Sequence, residues 1–238
     1  MTGTLHPAAD GRSAVSVTDA LLGRISTRAF RPDPVPEPLV REILDVARFA
    51  PSGSNLQPWR IVAVSGDARR RMIAAARAAL AEQPQGEAAE YPGRPSPIWE
   101  PYRSRRFKTN EDMYALLGIP RTERAARLDH IDRNAEFFGA PVGLFFVTDR
   151  RFGHSQWTNL GMLMQSIALA AFERGVASCM QEYWGSVRET LRRHFELAET
   201  DVVFCGMALG FADATAAVNT LRSERAPVDE ICDFKGFD

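Results

Sequence analysis

The sequence predicts an α+β domain, a mixed sheet packed with helices, and three observations carry that prediction. Short apolar runs bounded by turn residues, at Arg60–Val64, Val142–Val147, Val176–Gln181 and Val202–Phe211, read as strands. Segments whose apolar residues recur at helical spacing lie between them, so strands alternate with helices along the chain. The 238 residues are 45% hydrophobic, enough for a substantial core, and no internal repeat or low-complexity block appears.

Taken in order, Met1–Asp19 is rich in small and polar residues and lacks the basic-then-apolar order of a signal peptide, so it reads as a loose tail before a single domain over 20–238. Val17–Gly23 permits a short helix with Thr18 as its cap and Gly23 as its stop. Arg24, Ser26 and Arg28 follow at every second position, so an extended backbone would point all three to one side. Two guanidiniums and a hydroxyl make an anion cradle, although an Arg-rich loop is also a common solvated surface.

Pro32, Pro34 and Pro36 forbid regular helix, and Pro38 serves as the first residue of a new one in which Val40, Ile43, Leu44 and Ala47 form an apolar stripe ending near Ala50. Pro51-Ser52-Gly53-Ser54-Asn55-Leu56-Gln57-Pro58-Trp59 then concentrates small polar side chains between this helix and the first strand. It reads either as a ligand-following loop or as a turn with a cap serine.

Asp67–Glu82 is Ala-rich and reads as a surface helix. Gln83–Asn110 changes to Pro, Gly and charge with Tyr91, Trp99, Tyr102 and Phe107 interspersed, a connection long enough to be a lid or disordered; with its continuation to residue 118 it is the candidate cover of a site. Pro120–Phe138 reads as one long helix leading through Gly139-Ala140-Pro141 into a buried strand. Ser155–Glu173 is apolar on most of its circumference, which places it at the domain centre or across a subunit interface. Ser186 and Glu189 have capping-box spacing for a helix through His194, and Gly206 and Gly210 in the last strand predict close approach by other elements.

The remaining composition excludes several chemistries. Lys and Arg total 29 against 30 Asp and Glu, so no bulk field gathers nucleic acid or an anionic membrane. Leu160–Phe172 is too short to span a bilayer. His6, His130, His154 and His194 are scattered, and Cys179, Cys205 and Cys232 have no CxxC spacing, so no metal site is expected and a reducing, cytoplasmic setting fits. No Gly-x-Ser-x-Gly elbow, P-loop or Gly-x-Gly-x-x-Gly fingerprint occurs. Cys179, lodged in a strand, reads as a small buried hydrophobe. No catalytic side-chain team emerges, which points to a cofactor that brings its own chemistry.

Arg24-Ile25-Ser26-Thr27-Arg28-Ala29-Phe30 followed by Ala50-Pro51-Ser52-Gly53-Ser54-Asn55-Leu56-Gln57-Pro58-Trp59 resembles the opening signature of the FMN-dependent nitroreductase family. Gly139-Ala140-Pro141-Val142, Asn159-x-Gly161, Met207-Ala208-Leu209-Gly210 and Arg222-x-x-Arg225 extend the resemblance from about residue 20 to the end. It implies a three-layer α/β/α fold with a mainly antiparallel sheet and a domain-sharing homodimer holding FMN at its interface. It also implies NAD(P)H as donor and a ping-pong reduction of nitroaromatic or quinone acceptors through flavin N5, with no catalytic side chain.

Carried over by position, Arg24, Ser26 and Arg225 would hold the FMN phosphate with Arg222 assisting, and Arg28 would lie at the pyrimidine edge and raise the reduction potential. Pro51, Ser52, Gly53, Asn55 and Gln57 would reach the flavin of the partner chain, and Met180-Gln181-Glu182 would set a backbone N–H near N5. Arg103, Arg106, Phe107 and Tyr114 are the lid and substrate candidates. Two departures stand out: Ile25 replaces a second basic residue, and Met180 stands where proline is common. The rival readings are a specialised member, a dehalogenase or a dehydrogenase of a biosynthetic intermediate with a cationic lid (Arg103, Arg105, Arg106, Lys108), and a flavin-binding protein without turnover.

Overall fold

The computed structural model describes residues 15–87, 91 and 95–237. Four strands, β1 (Arg60–Ser65), β2 (Val142–Asp149), β3 (Ala177–Gln181) and β4 (Asp201–Gly210), form one sheet in the order β1-β2-β4-β3. Every ladder in it is antiparallel. The parallel component of the expected mixed sheet reduces to an isolated bridge between Ser26 and Ser178.

β2 is buried along nearly its whole length because both faces are covered. Leu144 and Phe146 join Met207 and Leu209 under α2 (Glu37–Ala47) and α6 (His154–Glu173), which contribute Ile43, Leu160, Leu163 and Ile167. Phe145 and Val147 face the other way, toward Met72 and Ala76 of α3 (Gly66–Glu82), Phe137, Trp184 and Leu191 of α7 (Arg188–His194). Two cores on opposite faces of one sheet make the three layers. Val203 lies on the opposite side from Cys205, Met207 and Leu209 although all four are odd-numbered. The register shifts by one residue there: Phe146 pairs with Cys205 and Val147 with Val203, leaving Phe204 as the extra residue of a bulge.

Gly206 sits where it does because an added Cβ would lie 2.1 Å from Trp184 Cδ1, and Gly210 because one would lie 2.7 Å from Pro141 Cδ, the close approaches read from the sequence. Helix α1 (Val17–Gly23) starts on a capping box of Ser16 and Asp19 instead of on Thr18, since Ser16 Oγ accepts from Asp19 N and the Asp19 carboxylate accepts from Ser16 N. The tail expected for Met1–Asp19 therefore ends before Ser16, and its first 14 residues lie outside the described set.

Three further expectations change. Tyr102–Leu116, within the stretch read largely as irregular, is a helix, α4. Pro120–Phe138 is not one helix: α5 (Arg124–Asp132) passes into a 3-10 turn over Arg133–Gly139 in which Phe137 and Phe138 take positive φ (55° and 54°). Ser186 and Glu189 form no capping box. Ser186 Oγ donates to Tyr183 O, and the α7 N-terminus is held by Glu87, whose carboxylate accepts from Glu189 N (2.7 Å), Thr190 N (3.1 Å) and Thr190 Oγ1 (2.5 Å). No described helix is long and apolar enough to cross a membrane.

Candidate functional site

The opening stretch is stitched beside β3 and the segment after β4. Thr27 N donates to Ser178 O, Arg28 N donates to Asn219 Oδ1 (3.0 Å), and Asn219 Nδ2 donates to the carbonyls of Ala29 and Asp213 (2.8 Å each). This lays the stretch along two cavities. Arg24, Ile25 and Thr27 line a cleft of about 570 Å³ with Phe172, Ser178 and Asn219. Arg28 lines a second of about 310 Å³ with Arg106, His130, Asn134 and Met180. Arg24 and Arg28 thus serve separate cavities, and the single-sided cradle expected from their spacing does not form.

Arg24, which lines the larger cleft, shares with Arg69 and Arg127 a buried Nε that has no hydrogen-bond partner among the described residues. An unsatisfied buried donor on a charged group is costly, so an acceptor brought by a ligand would complete it. Gly23 lets the chain lie this close to α6, for a Cβ there would meet Phe172 Cζ at 2.4 Å. Arg222 and Arg225 follow the same Asn219 corner, and their guanidiniums bond only carbonyls of their own loop.

The Pro51–Trp59 loop holds Ser54, Asn55 and Gln57 at φ 52°, 55° and 48°, three non-glycine residues in the left-handed region within four positions. Such strain persists where surroundings impose it and clusters at ligand sites. Gln57 N donates to Ser52 Oγ (2.9 Å) and Gln57 Nε2 to Asn55 Oδ1 (3.2 Å), which fixes the loop internally, yet Gly53–Gln57 are all exposed. Thr148 Oγ1 donates to Pro58 O (2.7 Å), and Gly53 lies beside Gln156 in the first turn of α6. The Arg24 cleft is lined by Phe172 and Glu173 near the other end, sixteen residues or about 24 Å along the helix from Gln156. Pro51 bridges part of that span, since it lines a further cleft with Val15 and Glu173, which also line the Arg24 cleft.

Gln181 is buried and works as a strut: its Nε2 donates to Asn134 O and Oδ1 (3.0 Å each), and its Oε1 accepts from Trp184 Nε1 (3.2 Å). It thereby fixes the backbone between Met180, which opens onto the Arg28 pocket, and exposed Glu182. Cys179 beside them is inert. Burial raises its thiol pKa against the opposing pull of Arg28, Ser26 and Arg24, and burial likewise pushes the Cys205 thiol up to about 12.

On α4 the cations differ in their bonding. Arg103 pairs with Glu100 (2.7 Å), Arg105 with Glu230 (2.5 Å), and Lys108 with Asp112 (2.8 Å) and Glu224 (3.1 Å). Arg106 has no hydrogen bond or ion pair among the described residues. Phe107 is exposed beneath the Arg121 guanidinium, whereas Tyr114 is buried under that of Arg127, 4.0 Å from its ring. Of the four lid candidates, Arg106 and Tyr114 line the Arg28 pocket, together with Asn110 and Met113 of the same helix, whereas Arg103 and Phe107 do not.

Sequence reasoning missed His130 as a member of this pocket. It is 5% exposed between Tyr114 and Phe138, its Nε2 has no partner, and burial, with Arg133 and Arg28 adding repulsion, lowers its pKa to about 4. A solitary histidine on α5 carries no local signal of that. Asn110, Asn134 and Gln156 were missed for the same reason. Among the described residues no group of three or more His, Cys, Asp or Glu side chains is placed to hold a metal ion.

The model of the nitroreductase family matches residues 21–211. Among curated proteins, the chain is 36% identical over 218 residues to a nitrobenzene nitroreductase of Ectopseudomonas oleovorans, covering 92% of this chain and 96% of that one. It is 34% identical over 215 residues to a 4-nitrobenzoate reductase of Pseudomonas putida, covering 90% and 93%. Among solved structures, the FMN and NADPH-dependent nitroreductase NfnB of Sphigopyxis sp. strain HMH superposes with a TM-score of 0.90 at 39% identity, covering 93% of this chain and 100% of that one.

Proposed function

Because the chain belongs to the nitroreductase family, we propose that it is an FMN-dependent NAD(P)H oxidoreductase reducing nitroaromatic or quinone-type acceptors. The observation that carries this reading is the unsatisfied buried Nε of Arg24, at the start of a motif laid along two cavities. An elongated ligand with an anionic end and a planar end fits that arrangement, and FMN has both.

When bound, FMN would supply the hydride chemistry of a ping-pong cycle between nicotinamide donor and acceptor. The chain's residues would bind and orient it. Arg24, Ser26 and Arg225 would hold the phosphate with Arg222 assisting, and Arg28 would serve the pyrimidine edge. Gln181 fixes the Met180–Glu182 backbone that would flank the ring. Helix α4 covers the opening and excludes water.

A second copy of the chain supplies Pro51, Ser52, Gly53, Asn55 and Gln57, a reading supported by the family resemblance and by Gly53 lying at the opposite end of α6 from Gly23. α6 leaves Met162 exposed, with Gln165, Leu169 and Phe172 half-exposed along the same side, a stripe suited to a homodimer seam. The three free cysteines suit a reducing, cytoplasmic setting.

The visible spectrum of the purified protein tests the reading. Flavin bands that bleach on anaerobic addition of NADPH and return with nitrobenzene are expected. A colourless protein that takes up no added FMN overturns it, and a flavin that does not bleach leaves only a binding protein.

A further inference from the structure

We propose that Asn219 is a positioning residue of the candidate FMN site: its side-chain amide holds the two arginine-bearing stretches of the chain against each other, and through them it sets the preference for a phosphorylated flavin. This rests on the flavin-reductase reading above and deepens its phosphate assignment. The two stretches are remote in sequence, Arg24–Phe30 before β1 and Leu221–Arg225 after β4. Asn219 spans them with every polar atom it has. Its Oδ1 accepts from Arg28 N (3.0 Å), and its Nδ2 donates to the carbonyls of Ala29 and Asp213 (2.8 Å each). Its backbone N donates to Ala216 O (3.0 Å), and its backbone carbonyl accepts from the Arg222 guanidinium (3.3 Å). One N–H on the oxygen side and two carbonyls on the nitrogen side fix which way the amide points.

The tie is made from a firm base. Asn219 sits in a 3-10 turn over Ala217–Thr220, with Val218 and Leu221 buried on either side of it, and it lines the cleft of Arg24. Other bonds keep the opening stretch beside the sheet without it, from Thr27 N to Ser178 O, Arg31 N to Phe211 O and Asp213 N to Ala29 O. Among the described residues, the hydrogen bonds that join that stretch to the chain beyond Asp213 are those of Asn219. Guanidiniums converging on one phosphate repel one another until it arrives, so a neutral tie between their backbones is what pre-organises them. The amide therefore governs where Arg24, Arg222 and Arg225 stand relative to one another, while the sheet keeps its own ladders.

The test equilibrates the FMN-loaded protein with riboflavin, which lacks the phosphate, and chromatographs the flavin that stays bound, which gives the preference for FMN directly. Asn219→Ala removes three hydrogen bonds and is expected to lower that preference about ten-fold with the circular dichroism unchanged. Asn219→Asp, of the same size, turns a carboxylate oxygen toward two carbonyls and adds a negative charge beside the phosphate, so it should lower the preference further. In Asn219→Ala with Arg225→Ala the combined loss should be smaller than the product of the single losses, because both act on the same contact. A preference left unchanged, even where both flavins bind more weakly, overturns the proposal, as do fully independent losses in the double variant. Loss of the fold in both Asn219 variants also overturns it, by making the residue a support of the fold alone. A natural protein that takes up neither flavin overturns the preceding reading as well, whereas one bleached by NADPH whose preference survives Asn219→Ala overturns this proposal alone.

Discussion

Gln156 and Phe172 stand at opposite ends of α6, and each is the neighbour of a different half of the candidate site, Gln156 of Gly53 and Phe172 of Gly23. Helical rise separates them by about 24 Å. A two-fold axis across the exposed stripe of α6 would set one copy's Pro51–Trp59 loop against the other's Arg24 cleft. Introducing charge on that stripe, as Met162→Glu with Leu169→Glu, should therefore dissociate the proposed dimer and lower its FMN content together. Light scattering and flavin absorbance on one column check this; a monomer that stays yellow would show the site to be complete within one chain.

Arg24 and Arg225 are expected to anchor the phosphate jointly. Arg24 Nε lacks a partner and Arg225 bonds only the carbonyls of Ser223 and Glu224, so neither is committed to holding the fold. Arg24→Ala with Arg225→Ala should lose FMN on gel filtration while the circular dichroism is unchanged. Each charge-assisted phosphate bond contributes roughly 1.5–3 kcal/mol, so the pair should weaken binding by about two orders of magnitude or more. Retention of FMN would place the phosphate elsewhere.

Gly206→Ala tests the packing beneath the site. The new methyl would fall 2.1 Å from Trp184 Cδ1. Trp184 is fully buried with ring centroids 4.6 Å from Phe137 and 5.1 Å from Phe145, and it bonds Gln181, so it has little room to yield. Overpacking of this kind costs about 1–3 kcal/mol. The urea midpoint should fall accordingly, and flavin affinity with it, since Gln181 positions Met180. An unchanged midpoint would mean that the sheet relaxes around the methyl.

These relationships differ in how far the sequence announced them. β2 and α6 were legible because apolar periodicity reports burial directly, and Gly206 because a glycine inside a strand implies a neighbour. Helix α4 was not, since its stability includes charged pairs such as Lys108 with Asp112, which leave no apolar stripe. The break after Asp132 was hidden too: Phe137 and Phe138 adopt positive φ under tertiary packing that favours neither residue locally. The α7 cap comes from Glu87, about a hundred positions away, and His130 acquires its lowered pKa chiefly from burial against Tyr114 and Phe138, with Arg133 and Arg28 adding repulsion. Local pattern carries what is decided locally. The Arg24 and Pro51 motifs are legible as stretches, but the placement of Gly23 and Gly53 at opposite ends of α6 is visible only in the folded helix.

The thiols give a direct reading of burial. Cys179 and Cys205 are buried, and burial raises both pKa values, that of Cys205 to about 12, whereas Cys232 is exposed. A thiolate is the reactive form, so a disulfide reagent at pH 8 should titrate one cysteine rapidly in the native protein and all three only in denaturant. Cys232→Ser should abolish the fast phase and leave NADPH oxidation as before. A second fast thiol would show that β3 opens near Arg28.

His130 should make the protein acid-sensitive in a defined window. It faces Arg28 and Arg133, which do not titrate in this range, and the rings of Tyr114 and Phe138. Its pKa is lowered from 6.5 to about 4, so the unfolded chain takes up the proton first and falling pH favours unfolding. The stabilisation is complete above pH 6.5 and is lost progressively toward pH 4. At pH 4.5 the loss amounts to roughly 2–3 kcal/mol. His130→Leu removes the titration, so its stability should change less between pH 7 and pH 4.5 than that of the natural protein, by about this amount. Urea titrations of both proteins at the two pH values measure the double difference, which cancels carboxylates common to both. Equal pH dependence would mean that His130 becomes protonated in the folded state near its ordinary value.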